Sequence, residues 1–219
     1  MTSKKISRAV LERLPRYYRY ARDLFGSDTL RISSSELASM MGLSPSQVRQ
    51  DLSSVGQFGS GGYGYNTRDL YEGLEYAIGL SEGFKVVVVG MNEIGFAVAN
   101  SDLLKNKGII QLGYFDYSEN VGKICRNKKI MSIVELEPFC KDNSVDVAVV
   151  CVDTTLALEA CSLAISGGVK GIWNLSGAEL RPERLKKKVS IVSLNPFDSL
   201  AGLLAAINMT EKNDDSTKI

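Results

Sequence analysis

Residues 44–53 combine short hydroxyls, side-chain amides and one arginine at helical spacing. Val48, Leu52 and Val55 recur at i, i+4 and i+7, which predicts an amphipathic helix with this stripe turned toward a core. The other face then presents hydroxyl, amide and guanidinium groups, which bind phosphates and base edges in the major groove of DNA. The candidates on that face are Ser44, Ser46, Gln47, Arg49, Gln50 and Ser53.

Capping signals indicate two consecutive helices in this region. Ser33 with Glu36 has the spacing of a capping box, and Ser44 with Gln47 repeats that spacing. Gly42 lies between the two pairs, where the end of a helix favours a left-handed residue. These signals predict a pair of short helices joined by a tight turn.

Five glycines punctuate residues 56–65 and permit a tight hairpin after the second helix. Two helices around a turn, followed by such a hairpin, are the parts of a winged helix-turn-helix. The hairpin adds Gly61, Gly62 and Tyr63 as candidate DNA contacts. A solvated helix pair with a flexible loop is the alternative interpretation.

Positive charge is concentrated at the start of a chain whose net charge is only +1. Residues 1–31 carry eight Lys or Arg against three Asp or Glu. A basic arm of this kind can contact phosphates, with Arg8 and Arg16 as candidates, although a solvated helix has the same composition. We expect a cytoplasmic protein, because the chain has no apolar run long enough for a membrane span and no signal peptide.

A second group of candidate residues follows a run of valines, which predicts a strand buried on both faces. Gly90 and Gly95 occupy the first and third glycine positions of the dinucleotide-binding fingerprint G-x-G-x-x-G. Asp116 follows 21 residues after Gly95, where the acid that binds the ribose of NAD is expected. The candidate cofactor-binding residues are Gly90, Met91, Asn92, Glu93, Ile94, Gly95 and Asp116.

The fingerprint is incomplete at two positions. Asn92 replaces the second glycine; it tolerates positive φ, but its side chain occupies space. Glu93 adds a carboxylate at a helix N-terminus that should receive an anion. NAD(H) is therefore the expected cofactor, bound weakly or lost because of Asn92 and Glu93, and a Rossmann-type scaffold without a nucleotide is the alternative.

Strand-like and helix-like segments alternate from residue 84 onward, which predicts an α/β fold with a doubly wound parallel sheet of the Rossmann type. Helices are predicted over Ile6–Phe25 with a kink or restart at Pro15, and over Thr67–Leu80, Ile94–Leu104, Thr154–Ile165 and Pro182–Lys188. The expected organisation is a winged helix-turn-helix over 1–80, a hinge at Gly79–Gly83, a Rossmann domain over 84–195, an apolar C-terminal helix over 196–208 and a disordered polar tail over 209–219.

Composition excludes several kinds of catalytic site. The chain contains no histidine, so Ser-His-Asp and Cys-His nucleophiles and histidine metal sites are absent. The four cysteines form no C-x-x-C pair and lie in or near apolar segments, which indicates buried thiols instead of metal ligands. They are Cys125, Cys140, Cys151 and Cys161. We expect neither a metal site nor an enzyme.

A winged helix joined to a Rossmann domain and a final helix resembles the Rex family of bacterial repressors, which sense the balance of NADH and NAD⁺. The resemblance covers nearly all of residues 4–207 and is closest in the N-terminal domain. Its most specific segments are Lys5–Arg8, Arg13–Tyr20, Arg31–Ser34, Gln47–Ser53 and Gly64–Asn66.

The resemblance implies a homodimer made by Phe197–Ile207, in which each winged helix reads half of a palindromic operator. It implies that NADH closes the Rossmann domains and releases the DNA, whereas NAD⁺ leaves DNA binding intact. It also implies a sensing contact at Arg19, with Ser101 at the position of a family tyrosine.

The chain departs from the family pattern where that mechanism operates. Asn92 and Glu93 are two of these departures. Gln50, Ser60 and Gly61 stand where the family has basic residues, and Val192 stands where it has an aspartate. Ser101 and Asp153 also depart from the pattern. These departures lead to the hypothesis of a Rex paralogue whose response to NADH is altered or lost. An NAD-dependent oxidoreductase with an added DNA-binding domain is a further alternative, disfavoured by the missing histidine.

Overall fold

The computed structural model divides the chain into two compact units, residues 1–83 and 84–219. It describes residues 6–59, 63–101, 104, 108–117, 119–180 and 189–216, the last six by their backbone alone. The helix predicted over Pro182–Lys188 lies outside these residues.

The described residues of the first unit form four helices beside a two-stranded sheet. Its elements are α1 (Arg8–Gly26), β1 (Arg31–Ile32), α2 (Ser34–Met41), α3 (Pro45–Val55), β2 (Tyr65–Asn66) and α4 (Thr67–Ile78). β1 and β2 pair antiparallel, with Arg31 opposite Asn66 and Ile32 opposite Tyr65. α1 is a single helix that contains Pro15, so the predicted restart is wrong. Its buried residues, such as Leu14 and Tyr17, join those of the other helices in one core.

Ser33 and Ser44 each cap a helix, but of these two only Ser33 takes part in a complete capping box. The Ser33 hydroxyl accepts the N–H of Glu36 at 3.1 Å, and the Glu36 carboxylate accepts the N–H of Ser33 at 2.8 Å. Ser44 accepts the N–H of Gln47 at 3.2 Å. The Gln47 side chain turns instead to Asp51, because a buried carboxylate needs donors more than an exposed helix end does.

The second unit alternates strands and helices. Its elements are β3 (Phe84–Val89), α5 (Glu93–Asn100), β4 (Ile109–Asp116), β5 (Ile124–Cys125), β6 (Lys128–Ser132), a 3₁₀ helix (Ile133–Glu135), α6 (Leu136–Asn143), β7 (Val147–Val150), α7 (Ala157–Ser166), β8 (Gly171–Asn174), β9 (Ser190–Ser193) and α8 (Pro196–Ser216). α5 stops short of the predicted Leu104, because Ser101 adopts an extended backbone.

Seven strands form one sheet in the order β5-β6-β4-β3-β7-β8-β9, in which only the β5–β6 pair is antiparallel. From β6 to β9 this is the doubly wound order, which reverses direction between β3 and β7. Val87 and Val89 enter one core cluster, and Val86 and Val88 enter another, so β3 is buried on both faces. The parallel α/β fold that the sequence predicts is confirmed.

α8 is longer than the sequence predicts. It was expected to end near residue 208, before a disordered tail over 209–219, but it continues to Ser216. Polar residues favour solvent without preventing a helix, and no Gly or Pro interrupts residues 203–216. The disordered tail is therefore wrong for residues 209–216.

Candidate functional sites

α3 presents most of its polar side chains to solvent. Ser46, Arg49, Gln50 and Ser53 are exposed, whereas Val48 and Leu52 of the apolar stripe are buried. Arg49 Nη1 donates to Ser34 Oγ at 2.9 Å, which connects the side chain to α2. The helix thus carries an exposed face of hydroxyl, amide and guanidinium groups.

At the N-terminal end of α3, the polar side chains bind other groups of the protein. The Ser44 hydroxyl caps the helix and lies 3.0 Å from Ser46 Oγ. Gln47 is half-buried, and its Nε2 donates to Asp51 Oδ1 at 2.7 Å. The amide nitrogen of Gln47 is therefore bound within the protein, unlike the exposed amide of Gln50.

Asp51 is a buried carboxylate that connects α3 to α1. Arg13 Nε and Nη2 donate to its two oxygens at 2.6 and 2.8 Å, and the Tyr17 hydroxyl donates to Oδ2 at 3.0 Å. Burial opposes ionisation, but the hydrogen bonds from Arg13, Gln47 and Tyr17 outweigh it and lower the pKa of Asp51. Burial, together with the hydrogen bond to Asp51, raises the pKa of Tyr17.

The exposed arginines of α1 include Arg8, Arg16 and Arg19, which differ in their partners. Arg8 pairs with Glu12 at 3.0 Å on the same helix. Arg16 Nη2 donates to the carbonyl of Met41 at 2.9 Å, at the end of α2. Arg19 lies near the ring of Tyr20, with 5.8 Å from its Cζ to the ring centroid.

The base of the predicted wing is held by β1. Arg31 Nη1 donates to the carbonyl of Tyr63 at 3.1 Å, and the Tyr63 side chain is 80% exposed. Gly61 and Gly62, and the departure at Ser60, lie outside the described residues.

Two glycines allow the loop after β3 to lie against its neighbours. Gly90 has φ +91°, and a Cβ there would lie 2.5 Å from the backbone nitrogen of Val152. A Cβ on Gly95 would lie 1.9 Å from the carbonyl oxygen of Gly90. Only glycine fits at either position, which agrees with the first and third glycines of the fingerprint.

Asn92 takes a different role from a second glycine. Its φ is −78°, so the tolerance of positive φ is not used. Its Oδ1 accepts the N–H of Gly95 at 3.0 Å, and its Nδ2 donates to the carbonyl of Cys151 at 2.6 Å. Asn92 thus caps α5 at the end where a phosphate would bind, while Glu93 and Ile94 are exposed in its first turn.

Asp116 is 7% exposed at the end of β4. Its Oδ1 accepts the N–H of Tyr117 at 2.7 Å, and its Oδ2 accepts Asn120 Nδ2 at 3.0 Å. The same Asn120 nitrogen donates to the carbonyl of Met91 at 2.9 Å. Asn120 therefore joins the carboxylate to the glycine loop.

A cavity of about 160 Å³ lies at the C-terminal ends of β3, β4 and β7, where the strand order reverses. It is lined by Gly90, Asn92, Asp116, Tyr117, Asn120, Val152, Asp153 and Leu156. Its volume suits part of a ligand, such as a ribose, more than a whole dinucleotide. Within the described residues the Tyr117 hydroxyl has no hydrogen-bond partner, and burial and the charge of Glu159 raise the pKa of Tyr117 to about 12.

The four cysteines are buried and free, as the sequence predicts. Burial raises the pKa of Cys140, Cys151 and Cys161 to about 12, so these thiols stay protonated and unreactive near neutral pH. In the part of the chain that the structure describes, no group of three or more Cys, Asp or Glu could hold a metal ion.

None of the described helices is both long enough and apolar enough to cross a bilayer.

Comparisons with known proteins agree with this architecture. A family model described as "Putative DNA-binding protein N-terminus" matches residues 5–53, and one described as "CoA binding domain" matches residues 81–178. A redox-sensing transcriptional repressor Rex of Caldicellulosiruptor saccharolyticus is 44% identical over 218 residues, which cover 98% of each chain. The chain belongs to the Rex family.

Other Rex proteins extend the comparison. A Rex of Clostridium perfringens is 35% identical over 206 residues, 94% of this chain and 96% of that protein. The crystal structure of RSP in complex with β-NAD⁺ and operator DNA is 32% identical, covers 97% of each chain and has a TM-score of 0.88. RSP in complex with β-NADH has a TM-score of 0.84 at 31% identity, covering 96% of this chain and 98% of that one. Curated Rex proteins are named as transcriptional repressors, not as enzymes.

The residues that the Rex resemblance links to sensing have ordinary local surroundings. Ser101 ends α5, and its hydroxyl donates to the carbonyl of Val98 at 2.7 Å. Val192 is 65% exposed on β9. Arg19 lies in the first unit, whereas Ser101 and Val192 lie in the second.

Two features of these sites, the Arg13–Asp51 pair and Asn120, were not identified from the sequence. Asp51 and Arg13 both lie in segments that carry the Rex resemblance, but no spacing rule pairs residues so far apart. Asn120 follows Asp116 in the loop after β4. An asparagine just after the end of a strand was the signal in the sequence that could have identified it as part of the site.

Proposed function

We propose that this chain is a dimeric transcriptional repressor that couples binding of operator DNA to NADH. The observation that carries the proposal is the presence, in one chain, of an exposed polar helix and of a crevice, lined by Gly90 and Asp116, at the switch point of a Rossmann sheet. Its similarity to Rex proteins over nearly the whole length supports the same role. The role is regulatory and cytoplasmic, and no catalytic activity is assigned.

Residues 1–80 would form the DNA-binding domain. The exposed Arg49, Gln50, Ser46 and Ser53 would face the major groove, with Ser44 and Gln47 at its edge. Tyr63 is supported by Arg31 and would contact the minor groove together with Gly61 and Gly62. Arg8 and Arg16 would contact phosphates.

Residues 84–195 would bind NAD(H). Gly90 and Gly95 allow the loop to approach the pyrophosphate, and the Asp116 carboxylate would accept hydrogen bonds from the ribose. Met91, Ile94 and Glu93 complete the loop and the first turn of α5. Asn92 and Glu93 are expected to weaken this binding.

The residues from 196 onward would make the dimer. α8 exposes a stripe of apolar side chains that no described contact covers, and single apolar helices rarely remain exposed in this way. The stripe consists of Phe197, Leu200, Leu203, Leu204 and Ile207. Each of the two copies would then read half of a palindromic operator. NADH would favour a dimer geometry that does not fit this operator. Arg19 and Ser101 would lie near the nicotinamide.

A second candidate is a Rex-family DNA-binding protein with an altered or lost nucleotide response. The Asn92 cap favours it, because Oδ1 already occupies the N–H of Gly95 at the site of the phosphate. The two candidates differ in whether NADH changes DNA binding.

The test measures binding of the full chain to a palindromic Rex-type operator by fluorescence anisotropy, with NADH, NAD⁺ or no nucleotide. Release by NADH and retention with NAD⁺ support the first candidate. DNA binding that is indifferent to both supports the second, and no specific DNA binding contradicts both.

A further inference from the structure

Asp116 is held by two donors from residues that line the same cavity, the backbone of Tyr117 and the side chain of Asn120. Each carboxylate oxygen can accept two hydrogen bonds. One acceptor site on each oxygen is therefore used by the protein, and capacity remains on both. The carboxylate is therefore held in one orientation and can still accept further hydrogen bonds.

The orientation of the Asn120 amide is determined by three neighbours. Its Nδ2 donates to Asp116 Oδ2 and to the carbonyl of Met91, which uses both hydrogens of the nitrogen. Its Oδ1 accepts Lys123 Nζ at 2.9 Å. A flipped amide would place its oxygen against two acceptors and its nitrogen against an ammonium group, so only one orientation is compatible with the site.

We infer that Asn120 is a positioning residue that fixes Asp116 for the 2′- and 3′-hydroxyls of an adenosine ribose and thereby selects NADH over NADPH. The inference rests on the proposed function, since it assumes that the crevice binds a dinucleotide. Hydroxyl donors match the free acceptor sites of the carboxylate. A 2′-phosphate would meet a negative charge that cannot turn away, with Asp153 on the same cavity wall.

The inference predicts a change in preference and not only in affinity. In Asn120→Ala the carboxylate loses one of its two holding donors and can rotate. NADH affinity should fall about tenfold, because its 2′-hydroxyl donates to the Asp116 carboxylate and loses that hydrogen bond when the carboxylate turns. NADPH affinity should stay the same or rise, because NADPH carries a phosphate in place of that hydroxyl and the fixed carboxylate repels it. A merely structural role would weaken both nucleotides equally.

The experiment measures Kd for NADH and for NADPH by isothermal titration calorimetry on the full chain, with thermal melting of each variant. Asn143→Ala is the matched control, because its amide donates to the carbonyl of Phe139 at 2.9 Å in the same unit, outside the crevice. Asn120→Leu is a second variant, which keeps the volume of the side chain but removes its amide. It should lower the preference by a similar factor without a change of charge, because the donor to Asp116 is lost in both variants.

The outcomes separate the inference from the proposed function. If the wild-type chain binds neither nucleotide, the proposed function fails at this site. If the wild type prefers NADH and both variants keep that preference, the inference is overturned while the proposed function stands. If Asn120→Ala is unfolded, the result for Asn120→Leu decides.

Discussion

Arg13 of α1 and Asp51 of α3 form a two-point ion pair, with Nε and Nη2 lying 2.6 and 2.8 Å from the carboxylate oxygens. Asp51 is 1% exposed, and the Tyr17 hydroxyl and the Gln47 amide complete its set of donors. The pair connects the arginine-bearing helix to the helix proposed to enter the major groove. Its loss should therefore affect both the stability and the DNA affinity of the first unit.

Replacing Asp51 with Asn should lower the free energy of unfolding by about 3 kcal/mol, because the partly buried guanidinium of Arg13 loses its charged partner. Urea unfolding followed by circular dichroism measures this change. The control is Asp23→Asn, whose pair with Arg22 is exposed and should be worth less than about 1 kcal/mol. Equal effects of the two substitutions would contradict a stabilising role for the buried pair.

The same pair predicts how stability depends on pH. The pKa of Asp51 in the folded state lies below its ordinary value of 3.8. Its contribution is therefore complete above that value and is lost as the pH falls through the folded pKa. The stability difference between the wild type and Asp51→Asn should be largest near neutral pH and should shrink below 3.8, which urea titrations at several pH values can measure.

Gln50 lies exposed on α3 where the Rex resemblance implies a basic residue. Gln50→Lys should add one phosphate contact, strengthen DNA binding and steepen its dependence on salt by about one unit of log–log slope. Arg49→Ala should weaken binding. Asn143→Lys, in the second unit, adds the same charge elsewhere, and an equal gain from it would indicate nonspecific attraction.

Asn92→Gly should restore the second glycine of the fingerprint and free the N–H of Gly95 for a phosphate. NADH affinity should rise about tenfold, since one charge-assisted hydrogen bond becomes available. Isothermal titration calorimetry measures the Kd for NADH. Asn66→Gly is the control, because Asn66 caps α4 in the first unit through the N–H groups of Arg68 and Asp69. Weaker NADH binding by Asn92→Gly would show that Asn92 itself holds the nucleotide.

The exposed stripe of α8 predicts that a charge within it will separate the subunits. Leu204→Asp should give a monomer in sedimentation velocity and weaken operator binding, because each palindrome needs two winged helices. Val134→Asp is the control, since Val134 is 76% exposed in the same unit but lies on the 3₁₀ helix. A dimer that survives Leu204→Asp would place the subunit contact elsewhere.

The sequence by itself determined the fold class, because the relevant signals are local. The valines of β3 predict a doubly buried strand, the Ser33–Glu36 spacing predicts a capping box, and Gly90 and Gly95 mark a loop that cannot carry a Cβ. Each depends on neighbours within a few residues, so periodicity and capping rules suffice.

Tertiary structure alone decided which distant residues meet. Arg13 and Asp51 are 38 residues apart, and Asn92 bonds to the carbonyl of Cys151, 59 residues away. Asn120 reaches both Asp116 and Met91 because parallel strands bring their carboxyl ends to one edge of the sheet. The type of each side chain determines which hydrogen bonds it can form. The partner that it finds depends on how the chain packs, and packing is a property of the whole fold.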